Sequence, residues 1–170
     1  MMKKILFSAA LAMTASATVS APAFAASGST ATAPGIAVAN VVSAIVLVHT
    51  PGASLNFGSF STGTGGTVIV TATGVGSTTG DTAFVTGTLE AADQFLVKGD
   101  GARSFTISTA PGTVANGATS IAFTTAPSAA SNTLSVLGIY SFSVGGTLTL
   151  AGTEAAGLYN GSYNATVAYN

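Results

Sequence analysis

The sequence predicts an all-β sandwich, and three observations lead there. Gly, Ala, Thr, Ser and Val dominate the chain, while Lys, Glu, Gln and Leu, which usually cover helix surfaces, are scarce. Apolar and polar residues alternate with a period of two in several short runs, the pattern of a strand with one buried face. Glycine-rich turn signals separate those runs, and many short strands at such spacing fold as a sandwich or barrel.

Taken from the N-terminus, residues 1–25 read as a secretory signal peptide. Lys3 and Lys4 give a positive start, Ile5 to Met13 a short apolar core, and Ala23-Phe24-Ala25 a small-x-small cleavage site. The apolar core is too short to span a bilayer, as are later runs such as Val41 to Val48, so no membrane insertion is expected after cleavage. Residues 26–42 read as an N-terminal arm. Ala26 to Ala33 is small and polar, Pro34-Gly35 interrupts it, and Ile36, Val38 and Val42 then fall at even positions with Asn40 in the gap. Residues 43–170 form one sandwich domain. Its first strand, Ser43 to Val48, is apolar on both faces, as an interior strand can be.

Further strands are expected at Val68 to Thr71, Phe95 to Val97, Ser104 to Ser108, Ile121 to Thr124, Tyr140 to Val144, Thr147 to Leu150 and Tyr163 to Tyr169. Gly63 to Gly66, Gly74 to Gly80, Gly99-Asp100-Gly101, Pro111-Gly112, Asn116-Gly117 and Gly145-Gly146 supply the reversals between them. Only Thr88 to Gln94 and Thr153 to Gly157 have the composition of short helical turns.

Charge excludes several classes of partner. Charged residues make up 5% of the chain, and the mature portion sets Lys98 and Arg103 against five acids. Without a basic patch, nucleic acid and anionic lipid are poor partners. A surface so poor in charge does little to repel a second copy. There is no cysteine, hence no disulfide, thiolate metal site or thiol nucleophile. His49, the single histidine, lies beside Thr50-Pro51 and reads as a strand-end residue, since zinc needs three or four ligands. Asp81, Glu90, Asp93 and Asp100 are spread through mid-chain, and Gly99-Asp100-Gly101 has the look of a turn rather than a calcium loop. A serine nucleophile would have only His49 or Lys98 as base, and no Gly-x-Ser-x-Gly elbow is present. The reading is a non-enzyme with no metal and no cofactor.

The C-terminus carries the most informative pattern. Gly157 stands fourteenth from the end, Tyr169 is penultimate, and Val167, Ala165 and Tyr163 continue its parity inward. This resembles the C-terminal β-motif of chaperone–usher pilins, in which a sandwich lacks one strand and a chaperone, then the arm of the next subunit, fills the gap. Elsewhere the ordered set Ser54-Leu55-Asn56-Phe57-Gly58, Gly65-Gly66-Thr67-Val68, Tyr140 to Leu150 and Ala155 to Gly161 resembles a bacterial secreted family known as domain of unknown function family 4402. The resemblance spans roughly residues 30–170 and implies an immunoglobulin-like, pilin-like Greek-key β-sandwich. One departure is the missing cysteine pair that joins early strands in many pilins.

The family 4402 resemblance implies no activity; the pilin-like tail implies a structural subunit of a fimbria or pilus-like filament. Ile36, Val38 and Val42 would donate to a neighbour, and the strand carrying Gly157, Tyr163, Ala165, Val167 and Tyr169 would flank the receiving groove. Partners would be copies of itself or related subunits, with a periplasmic chaperone and an outer-membrane usher, and the product would pass from the periplasm to the cell surface. The alternative is a monomeric secreted sandwich that serves as a binding or adhesion module.

Overall fold

Alternating side chains and glycine turns resolve into strands joined by tight reversals, and no helix occurs among the described residues, 30 and 32–170 of a computed structural model. The expected signal peptide, residues 1–25, lies outside the described residues. Those before Asn40 carry no regular structure, and Ile36 and Val38 are 97% and 92% exposed. Asn40–Asn170 form one compact unit.

Thirteen strands are present among the described residues. They are β1 (Val46–His49), β2 (Phe60–Ser61), β3 (Gly66–Val70), β4 (Gly76–Gly80), β5 (Ala83–Phe84), β6 (Asp93–Lys98) and β7 (Ser104–Thr109). The remainder are β8 (Gly112–Asn116), β9 (Thr119–Pro127), β10 (Ser131–Thr133), β11 (Ile139–Leu150), β12 (Asn160–Ser162) and β13 (Ala165–Tyr169). All pairings are antiparallel. The large sheet runs β1-β6-β11-β9-β8-β12, with β3 on β11 and β4 on β3; a second sheet runs β10-β7-β13; β2 and β5 make a small ribbon. The molecule is an all-β sandwich of antiparallel sheets.

Period-two burial explains the layering. Phe105 and Ile107 of β7, and Ile121 and Phe123 of β9, point inward while their neighbours face out. The core has two centres. One gathers Phe57, Val68, Val70, Ile121, Phe123, Leu148 and Leu150; the other gathers Val97, Phe105, Ile107, Leu134, Phe142 and Val144. Turn chemistry acts as expected at Asn116, which faces Thr119 across a two-residue loop. Gly117 takes φ 60° there, where a type II′ hairpin places glycine.

Four expectations need correction, one of them the reversal at Gly74 to Gly80, most of which is strand β4 paired with β3. The first strand is not interior: β1 is an edge strand, with Val46 and Val48 exposed and only the Ile45 and Leu47 side packed on the core. Gly145-Gly146 is not a reversal, because β11 runs straight through it. These glycines make room where one flank of β11 changes partner from β6, which ends opposite Val144, to β3, which begins opposite Gly146. A Cβ on Gly145 would collide with the Val70 carbonyl, and one on Gly146 would lie 2.7 Å from the Thr124 carbonyl. The two candidate helical turns are also absent. Asp93 and Gln94 begin β6, and the Glu154 carboxylate accepts the Ala151 and Gly152 amides at 2.6 and 2.9 Å. Those amides hold the Glu154 carboxyl below its ordinary pKa against an opposing burial effect.

Candidate functional site

The two ends of the sandwich domain run side by side in opposite directions. The C-terminal segment pairs first with the large sheet, through β12 on β8. It crosses over near Asn164, whose carbonyl accepts the Ala110 amide at 2.9 Å, and then pairs with the second sheet through β13 on β7. The N-terminal segment is β1 followed by residues 50–60, tied to β6 and, at Asn56, to Ala91. Among the described residues no strand pairs with the second edge of β1, β12 or β13.

Along half their length these segments meet through side chains. Ala165, Val167 and Tyr169 pack on the same core centre as Ile45 and Leu47. The Tyr169 hydroxyl accepts the Asp100 amide at 2.6 Å and donates to the Ser43 carbonyl at 3.0 Å. It reaches that position only because residue 99 is glycine, whose Cβ would otherwise collide with the hydroxyl. The Arg103 guanidinium lies 5.5 Å from the centre of the Tyr169 ring and its Nε bonds Asp100 Oδ2 at 3.1 Å.

A buried carboxylate marks where this contact ends. Asp93, 5% exposed, receives His49 Nε2 on Oδ1 at 2.7 Å, the Gln94 amide on Oδ1 at 2.8 Å and the Tyr163 hydroxyl on Oδ2 at 2.8 Å. Three donors compensate its desolvation. Burial, and secondarily Asp93, pushes the Tyr163 phenol well above its ordinary pKa. The Tyr163 ring sets its edge against Phe95 and Phe123.

Past this cluster the segments part and enclose a cleft of about 1020 Å³. Its walls are residues 53–63 and 154–163, and its floor is Phe57, Val114, Ile121, Phe123 and Leu148. Four of those five are core residues, so the cleft opens onto the first core centre. The floor is apolar, the walls carry polar groups such as Asn56, Ser59, Asn160 and Ser162, and His49, Asp93 and Tyr163 stand at one end.

The expected site residues divide accordingly. Ala165, Val167 and Tyr169 share the inner face of β13, in the region where the segments meet and not beside the cleft. Tyr163 stands at the junction, and Gly157 in the cleft wall, with φ 154° and no room for a Cβ beside the Asn116 amide. Ile36 and Val38 lie in the exposed segment before the domain, and Val42 is half-exposed at the domain's start. Sequence reasoning missed Phe57 as a cleft residue and the His49–Asp93 pair. Asp93 could have been found: it shares parity with Phe95 and Val97, an acid on the inward face of an apolar strand.

These features define a class, a two-centred antiparallel β-sandwich, among the described residues, with a cleft that opens onto its core. Within that class the chain belongs to the family described as a domain of unknown function, DUF4402, whose model matches residues 47–169, from β1 to the penultimate tyrosine. No match to a curated protein or to a solved structure was found.

Proposed function

We propose that this protein is a non-catalytic, secreted structural subunit of a fimbrial or pilus-like filament, assembled by β-strand donation between neighbours. The observation that carries the reading is the cleft, where core side chains line an open trough and one wall carries β12, whose outer edge pairs with no strand among the described residues. Such edges offer free N–H and C=O groups to an incoming strand. The segment Thr30 to Val42 supplies a suitable strand, uncharged and with Ile36 and Val38 fully exposed. Burying a few aliphatic side chains does not by itself offset the entropy of ordering such an arm. Binding therefore needs a groove already formed and a ladder of backbone hydrogen bonds along it.

On this reading a copy of the protein or a related subunit is the partner, and a periplasmic chaperone and an outer-membrane usher deliver it to the cell surface. Deleting Ala26 to Val38 is expected to abolish filaments, seen by electron microscopy, with export unchanged. Filaments that persist would sink the proposal.

The size of the cleft favours a second reading. Its volume sits at the top of the roughly 300–1,000 Å³ range of small-ligand pockets, and its floor is apolar as theirs are. A monomeric secreted module would use it to bind a ligand directly. Size-exclusion of the mature protein with added peptide of residues 30–42 separates the two: complex formation supports donation, and an inert monomer supports the module.

A further inference from the structure

The cleft is asymmetric along its length, and so is the segment proposed to fill it. Strand register fixes the positions. His49 faces Phe95, which faces Phe142; Asp93 faces Val144; Phe123 faces Leu148; Ser162 faces Thr113, and Asn160 faces Ala115. The polar cluster of His49, Asp93 and Tyr163 thus closes one end, and the aromatic and aliphatic floor continues from Phe123 and Phe57 toward Ile121 at the other. The wall residues Gly157 to Tyr163 span at most about 20 Å as extended chain. That is room for one face bearing three or four alternate side chains.

The arm carries the matching pattern on its even positions: Ile36, Val38, Asn40 and Val42. Only one orientation sets apolar on apolar and polar on polar. We infer, resting on the strand-donation reading, that a second copy's arm lies parallel to the C-terminal segment, with Ile36 and Val38 over the Ile121–Phe123–Phe57 floor and Asn40 against the His49–Asp93–Tyr163 cluster. The reversed orientation would bury the Asn40 amide among apolar side chains without a partner and set Ile36 on the polar end. Beyond Asn40 the path meets the region where β1 and β13 approach and Leu47 and Val167 pack on the same core centre, so Val42 stops at the mouth of that region. The matching stretch is therefore shorter than the whole arm: Ile36, Val38 and Asn40 set the specificity.

The absence of cysteine makes the orientation directly measurable. Single cysteines are placed in separate full-length mature proteins at outward arm positions, Ala37→Cys or Val41→Cys, and at exposed rim positions, Ser59→Cys at the apolar end or Ser54→Cys at the polar end. Mixed pairs are treated with a short bis-maleimide and heterodimers are read by mass, so any link is between copies. Ala37→Cys with Ser59→Cys, and Val41→Cys with Ser54→Cys, are expected to link at least tenfold more than the exchanged pairs. The opposite preference overturns the orientation and leaves donation intact. No arm-to-rim link in any pair, with wild-type filaments equally absent, overturns both. Equal linking in all four pairs overturns a defined seating of the arm.

Discussion

A carboxylate with three donors and almost no exposure is the residue on which the junction depends. Removing Asp93 leaves His49 and Tyr163 without their acceptor, and Asp93→Ala is expected to cost about 3 kcal/mol in urea unfolding. Tyr163→Phe removes one donor and should cost about 1–3 kcal/mol. The phenol also fixes a pH dependence. Because folding raises its pKa, the folded state holds that proton more tightly, and this contribution is complete below about pH 10 and lost as pH rises beyond it. Unfolding curves between pH 9 and 11 should therefore fall more steeply for the wild type than for Tyr163→Phe. At Gly99 the contact is steric. Gly99→Ala should destabilise by about 1–3 kcal/mol, and adding Tyr169→Phe should recover part of it, a coupling that a double-mutant cycle reads.

At the scale of elements, legibility followed locality. Strands such as Ser104 to Ser108 and the tail to Tyr169 were readable because alternation and flanking turns suffice to define them. β11 was not, because glycine has two uses and the sequence does not separate them. Gly117 serves a turn by its positive φ, whereas Gly145 serves close passage of β3 over an uninterrupted strand. Gly145→Ala is accordingly expected to cost about 1–3 kcal/mol through overpacking, measured by thermal unfolding, while Gly35→Ala, with nothing near its Cβ, should be silent. β1 was misplaced for a related reason. Apolar residues on both faces read as full burial, but here Val46 and Val48 remain exposed along an unpaired edge.

For the whole molecule, the fold class was legible and the cleft was not. Composition and alternation dictate sheets, but the cleft exists only because residues 53–63 come to face residues 154–163, about a hundred positions away in sequence. Parity in the tail singled out Ala165, Val167 and Tyr169, which pack on the second core centre with Leu47, while the cleft lies beside Tyr159 to Tyr163. If the cleft receives a strand as proposed, filling it adds to the stability of the domain. A peptide of residues 30–42 at a hundredfold excess over its Kd should stabilise the domain by about 2.7 kcal/mol, seen as a rise in Tm that Phe57→Ala diminishes.

The placement of β1 has a mechanical corollary. In a row of subunits joined arm to cleft, tension would enter each domain at residue 43 and leave through the strand held between the cleft walls. β1 would then be drawn along its own axis against β6, so that its four register pairs from Val46–Lys98 to His49–Phe95 bear the load together rather than peeling one by one.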